Sequence, residues 1–112
     1  MDNNKNDKSY AIKAIEDINS IEEYLKEKSY AEFIDDNLLV DAIMFRLIQL
    51  GENIKNISDE FKNNNPNVLW HEILGFSNGI VHNYGKTDYK VVYEIITKDL
   101  KALKNVLDKL AK

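Results

Sequence analysis

The chain has 112 residues and a formal net charge of −4, and 30% of its residues are charged and 44% hydrophobic. This composition is typical of one globular domain, while the single proline and four glycines argue against an all-β sandwich. The absence of cysteine excludes disulfides and thiolate metal sites, and it fits a reducing cytoplasm. The acidic balance disfavours broad, charge-driven binding of nucleic acid but leaves room for a local phosphate site.

The first predicted element is an amphipathic helix that follows a polar start, MDNNKNDKSY. Residues 1–8 are predicted to be a disordered tail and residues 9–112 a helical domain. Ser9 is a plausible N-cap. Apolar residues then recur at steps of three and four, at Ala11, Ala14, Ile15, Ile18, Ile21 and Leu25. The polar start cannot serve as a signal peptide, and no apolar run is long enough to span a membrane.

The second predicted helix is the longest, running from Leu38 to Phe61 over roughly 36 Å. Asp36 is expected to cap its first turn. Its apolar stripe comprises Val40, Ile43, Leu47, Leu50, Ile54 and Ile57.

The third helix is predicted to begin with Asn65 as a cap and Pro66 at its first position. It continues into WHEILGFSNGIVH, and a fourth helix begins at Asp88. Short connections and amphipathic stripes together predict an all-α antiparallel bundle of four to five helices.

The segment GFSNGIVHNYGKTD, residues 75–88, is the most unusual stretch of the chain. Gly75 and Gly79 each cost about 1 kcal/mol in a helix interior, which suggests close approach by another helix or subunit. Gly85 is suited to close the helix. His82 would then lie near the helix C-terminus, where the dipole keeps an imidazole readily protonated and fit for acid–base chemistry. A simpler alternative is that His82 and Tyr84 form a capping or packing pair.

A metal site is not predicted. His71 and His82, the only histidines, are eleven residues apart and lack an acidic partner at a recognised ligand spacing. We therefore expect neither a metal nor another cofactor.

Two segments, DAIMFRLIQLGENIKNISDEF and LWHEILGFSNGIVHNYGKTDYKVVYEIITKDLKALKNVL, resemble the central helix and C-terminal half of HepT-like HEPN proteins. The similarity covers about residues 9–110. The family signature is R-N-x-x-x-H-x-Y, followed by an acidic residue that begins the last helix. Asn78, His82, Tyr84 and Asp88 match this signature, whereas Ser77 occupies the position of the arginine.

The resemblance implies a homodimeric, metal-independent endoribonuclease that acts as the toxin of a toxin–antitoxin pair, with RNA as its substrate. The implied partner is an MNT-type nucleotidyltransferase antitoxin that transfers AMP to the motif tyrosine, here Tyr84. The motif segments of two chains would meet at one cleft. This fits the divergence of roughly 140° between positions 77 and 82 on one helix.

The implied chemistry assigns proton transfer to His82 and a phosphate hydrogen bond to Asn78. Ser77 carries no charge, and losing a comparable preorganised donor costs about 10²–10³ in rate. We therefore expect a very weak or inactive nuclease. Lys86 and Arg46 are the nearest alternative cations, but Arg46 is expected to form an ion pair instead.

Several interpretations remain open at this stage. The chain is either a disabled ribonuclease toxin, a non-catalytic HEPN module that binds a nucleotidyltransferase, nucleotide or RNA, or a dimer that serves only assembly. Ser77 fits either a lineage that lost catalysis or a deliberate replacement that permits production of a toxic protein. For the lysines at positions 98, 101, 104 and 109, complementarity to the helix dipole is favoured over a role in RNA binding. Glu52 is expected to be solvated or paired, and Trp70 and Phe76 to be core or interface aromatics.

Overall fold

The computed structural model describes residues 3–82 and 87–112, except for the side chains of residues 3–5, 76 and 78–82. Every regular element in these residues is a helix, which confirms the predicted all-α class. The helices are α1 (Asn3–Leu25), α2 (Tyr30–Ile34), α3 (Asn37–Lys55), α4 (Asp59–Asn63), α5 (Trp70–His82), α6 (Tyr89–Glu94) and α7 (Leu100–Ala111), and a π-helical segment, Ile95–Asp99, joins the last two.

The N-terminal helix α1 begins at Asn3, so it includes most of the segment that was predicted to be a disordered tail, and Ser9 is not its cap. Asp7 is buried, and its carboxylate accepts hydrogen bonds from the Ser58 backbone N–H (2.8 Å) and the Ser58 hydroxyl (2.6 Å). This contact joins residues 51 positions apart. A local reading of the sequence therefore could not have found it.

The second long helix begins as predicted but ends earlier. Asp36 caps α3 by accepting a hydrogen bond from the Leu39 N–H (3.0 Å). The helix ends at Lys55 rather than Phe61, because Ser58 caps a separate short helix, α4, by accepting from the Phe61 N–H (3.3 Å). The apolar residues keep the same spacing past Lys55, so the sequence pattern predicted one uninterrupted helix.

The connection before α5 corrects the predicted start of the third helix. Pro66 lies in a turn in which the Val68 N–H donates to the Asn65 carbonyl (3.3 Å), and α5 begins only at Trp70. The fixed φ of proline suits the second position of such a turn as well as the first position of a helix. The same Asn65 carbonyl accepts a hydrogen bond from the Trp70 indole (2.9 Å), which holds the turn against α5.

The predicted fourth helix begins, as α6, at its expected cap, since Asp88 accepts a hydrogen bond from the Lys90 N–H (3.0 Å). The π-helical segment that follows was not predicted. The Thr97 hydroxyl donates to the Tyr93 carbonyl (2.7 Å) beside it. Wider turns of this kind keep apolar residues spaced by four on one face, so Val92, Ile96 and Leu100 are all buried.

The long helices pack in the order α7, α1, α3 and α5. Helices α1 and α3 run antiparallel, because Asp7 contacts Ser58 near the end of the pair while Asp17 contacts Arg46 further along it. Fully buried side chains on these two helices include Ile18, Ile21, Ile43, Leu47, Leu50 and Ile54. Within the described residues α5 packs mainly on α3, which leaves the motif helix at the edge of the bundle.

None of the helices that the structure describes is long and apolar enough to cross a membrane.

Candidate functional site

The motif segment begins in α5, and Ser77 is the member of it whose side chain the structure describes. Ser77 is only 6% exposed, and its hydroxyl donates a hydrogen bond to the Leu47 carbonyl of α3 (3.3 Å). The residue at the position of the family arginine therefore faces the packed side of α5. Its one donor is used to join two helices.

The contact between α3 and α5 is unusually close at this point. A Cβ atom placed on Gly51 would lie 2.4 Å from the Ser77 Cβ and 2.7 Å from its hydroxyl oxygen. Real Cβ atoms do not approach so closely, so glycine at position 51 is what allows a side chain at position 77. Nothing in the sequence distinguishes Gly51, because a glycine within a long apolar stripe does not indicate which residue packs against it.

Gly75 behaves differently from the expectation of a close approach within the chain. A Cβ atom on Gly75 would meet nothing within 4 Å, and the residue is exposed. This face of α5 is thus open among the described residues. Gly79 belongs to the part of the chain whose side-chain surroundings are not described.

The remaining predicted site residues are placed only in part. Asn78 and His82 belong to α5 by their backbone, and His82 is its last residue. Tyr84, Gly85 and Lys86 lie outside the described residues. Asp88 is the cap of α6.

Arg46 forms an ion pair, as predicted, but with Asp17 of α1. The Arg46 Nη1 donates to the Asp17 carboxylate (3.1 Å), and the Asn53 Nδ2 donates to its other oxygen (2.8 Å). Hydrogen bonds with Tyr24 and Asp17 raise the pKa of Arg46. Because these contacts hold the guanidinium toward α1, Arg46 does not replace the missing motif arginine. Glu52, which was expected to be solvated or paired, is exposed.

We expect Arg46→Ala to lower the free energy of unfolding by about 1–3 kcal/mol, because it leaves the buried Asp17 carboxylate without its charged partner. Urea unfolding measures this loss. Lys104→Ala is the matched control, since Lys104 and Glu22 form a pair 3.7 Å apart whose side chains are 32% and 43% exposed. Such a surface pair is worth about 0–1 kcal/mol. Equal losses in the two variants would contradict a special role for the Asp17 pair.

The aromatic residue at the start of α5 packs in the core. Trp70 is buried and meets Phe61 edge to face, with ring centroids 6.1 Å apart. This confirms Trp70 as a core aromatic, whereas the side chain of Phe76 is among those not described. His71 is exposed, and the described residues contain no group of three histidine or acidic side chains that could hold a metal ion.

Comparison with known proteins identifies a family. The model of the family described as Ribonuclease HepT-like matches residues 14–110. The chain is 30% identical over 105 residues to "Probable ribonuclease HepT" of Thermococcus cleftensis, and the match covers 94% of this chain and 96% of that protein. It is 29% identical over 101 residues to "Putative RNase MJ1380" of Methanocaldococcus jannaschii, covering 90% and 93% of the two chains. No solved structure was found to match it.

Proposed function

This chain belongs to the ribonuclease HepT-like family, and we propose that it is the toxin subunit of a HEPN/MNT toxin–antitoxin system. Its activity as a metal-independent endoribonuclease is strongly reduced by Ser77. The observation that carries this proposal is the retained segment N-x-x-x-H-x-Y, residues 78–84, in a chain that matches ribonuclease relatives over nearly its full length. Restoring arginine at position 77 and measuring RNA cleavage in EDTA tests it.

The chemistry follows from the residues that remain. His82 takes the proton of the attacking 2′-hydroxyl or delivers one to the leaving oxygen. Asn78 donates a neutral hydrogen bond to the phosphate. Negative charge that grows on the phosphoryl oxygens lacks a guanidinium, and Ser77 offers no substitute because its hydroxyl is bonded to Leu47 inside the fold.

A homodimer completes the proposed cleft. Positions five apart on a regular helix diverge by about 140°, so one helix would not direct side chains 77 and 82 to the same place, and a cleft shared by two chains would bring them together. Helix α3 exposes Leu38 (81%) and Phe45 (56%), which are seven residues apart and share one face. The open surface at Gly75 would allow close approach of a second chain. We propose that these two faces meet their counterparts across a two-fold axis.

We expect Phe45→Glu to convert the dimer to a monomer, because it places a charge in the centre of the proposed apolar contact. Sedimentation velocity over a range of concentrations measures the change. Leu69→Glu is the control, since Leu69 is 50% exposed but lies on the loop before α5. A chain that is monomeric without any substitution contradicts the shared cleft. Dissociation by both variants would place the interface elsewhere.

Regulation by an antitoxin is proposed to act at Tyr84. AMP attached to its hydroxyl would add bulk and negative charge beside His82 and so exclude RNA phosphates. After incubation with an MNT-type nucleotidyltransferase and ATP, we expect intact-mass spectrometry to show one added AMP group. The addition should be absent from Tyr84→Phe. AMP addition to Tyr84→Phe, or no addition to the unaltered chain, would refute the proposed regulation at Tyr84.

A non-catalytic HEPN module that binds a nucleotidyltransferase, nucleotide or RNA is the second candidate. The buried, hydrogen-bonded position of Ser77 favours it, because the serine fits its site as an ordinary packing residue. A folded Ser77→Arg dimer without nuclease activity would support this alternative.

A further inference from the structure

The outer face of the C-terminal helix carries a row of lysines that the motif chemistry does not use. Exposed polar residues recur there at steps of three and four, and they define what we call the lysine stripe: Lys98, Lys101, Asn105, Lys109 and Lys112. These positions fall within one narrow arc of the helix and extend over roughly 20 Å. The acidic residues within the same span, Asp99 and Asp108, are half-buried beside it.

The charge of the chain is segregated in the same way. Residues 1–88 contain nine basic and 16 acidic residues, a net charge of −7, whereas residues 89–112 contain six basic and three acidic residues, a net charge of +3. The chain is therefore acidic overall, but its C-terminal segment, residues 89–112, is basic. This local excess is the kind of feature by which an acidic protein can still bind phosphates.

Complementarity to the helix dipole explains only part of the stripe. The dipole acts within the last turn, which contains Lys109 and is followed by Lys112. Lys98 lies in the π-helical segment, and Lys101 lies at the start of α7, far from its end. The salt bridges of the described residues involve Lys104 and Arg46 but none of the four stripe lysines.

The chemistry of this face fits a polyanion better than a protein. Protein interfaces are usually depleted in lysine and contain an apolar centre. Among the described residues, the large exposed hydrophobic side chains are Ile12, Tyr24, Leu38, Phe45, Leu69 and Val91, and none of these belongs to the stripe. Lysine side chains are long and flexible and carry a compact positive charge, so ammonium groups in a row can each contact a phosphate of one strand.

We infer that the lysine stripe binds the phosphate backbone of single-stranded RNA, as an electrostatic track separate from the cleavage motif. This inference rests on the proposed function in that it supplies a binding surface for the same substrate. It adds the element that would hold the strand while the motif acts. The contacts are to phosphates and therefore independent of base sequence.

The test is the salt dependence of binding to a fluorescein-labelled single-stranded oligouridine, measured by anisotropy in EDTA with the unaltered Ser77 chain. The variant Lys98→Gln/Lys101→Gln/Lys109→Gln removes three charges while keeping good helix formers. The control, Lys8→Gln/Lys26→Gln/Lys55→Gln, makes the same change in net charge at exposed lysines elsewhere. Each phosphate contact contributes about 0.7 to the slope of log K against log salt, so the stripe variant should lose about 2 from that slope.

A slope that falls in the stripe variant and stays constant in the control supports the inference. Equal slopes in the unaltered chain and the stripe variant overturn it, and so does an equal fall in both variants, which would report net charge alone. Binding of polyglutamate through the stripe without binding of oligouridine would also overturn it and indicate an acidic protein partner. Cleavage by Ser77→Arg is measured separately. The stripe can therefore fail while the ribonuclease proposal stands, and the reverse also holds.

Discussion

Ser77→Arg is expected to raise the rate of RNA cleavage in EDTA by about 10²–10³-fold, which is the usual contribution of one preorganised donor to an oxyanion. The guanidinium would supply a positive charge and two parallel donors for the phosphoryl oxygens. His82 would act on the proton, as in the unaltered chain. A fluorescent RNA substrate with an internal quencher measures the initial rate, and the added arginine should make that rate depend on His82.

The structure adds a requirement that this experiment must meet. Ser77 is buried against Gly51 and Leu47, so an arginine there must lose the hydrogen bond to the Leu47 carbonyl and extend its side chain past α3 to reach the phosphate. We expect the substitution to lower the free energy of unfolding by about 1–3 kcal/mol, as overpacking usually does. Circular dichroism and the unfolding midpoint must therefore accompany the rate.

Two further variants separate charge from bulk. Ser77→Gln is long and polar but neutral, so it should disturb the helix contact without producing cleavage. Ser77→Arg combined with His82→Ala should retain the fold and lose the gained activity. A folded Ser77→Arg protein that does not cleave RNA would refute the ribonuclease proposal. Activity that survives loss of His82 would indicate a contaminating nuclease or another base.

Sequence reasoning recovered the features that depend on local patterns. The caps Asp36 and Asp88 were predicted correctly from a side-chain acceptor ahead of an apolar stripe, whereas the same rule failed at Ser9 and Asn65. The all-α class follows from the stripes themselves. By contrast, the bond between Asp7 and Ser58 and the pair of Asp17 with Arg46 join residues 51 and 29 positions apart. No periodicity encodes such partners.

The candidate site shows the same limit in a different form. The motif placed Ser77, Asn78 and His82 on one helix, and their order along α5 agrees with that expectation. The packing of Ser77 against α3 could not be predicted, because it depends on Gly51, a neighbour that lacks a side chain. The sequence raised no expectation for Gly51, whereas Gly75 was expected to mark close approach by another helix or subunit. Within the chain the close approach is at Gly51, and Gly75 meets nothing within 4 Å.

The same substitution at these two glycines is expected to have opposite effects. Gly51→Ala should lower the free energy of unfolding by up to about 2 kcal/mol, because the overpacking cost of about 1–3 kcal/mol outweighs the helix-propensity gain of about 1 kcal/mol. The new methyl group would meet the Cβ of Ser77, which cannot move without its backbone. Gly75→Ala should raise the stability by about 0.5–1 kcal/mol, because it gains propensity in open space. Urea unfolding at a concentration where the chain is monomeric measures both effects.

A double-mutant cycle tests whether the Ser77 side chain is responsible for the loss at position 51. Ser77→Gly removes both the Cβ and the hydroxyl that crowd Gly51, so Gly51→Ala should become neutral or stabilising in that background. An unchanged loss would mean that α3 and α5 are not in contact at this pair. A coupling of about 1–3 kcal/mol would show that Gly51 sets the space available at position 77. It would then follow that any residue installed there, including the arginine of the family motif, depends on a glycine 26 positions earlier in the chain.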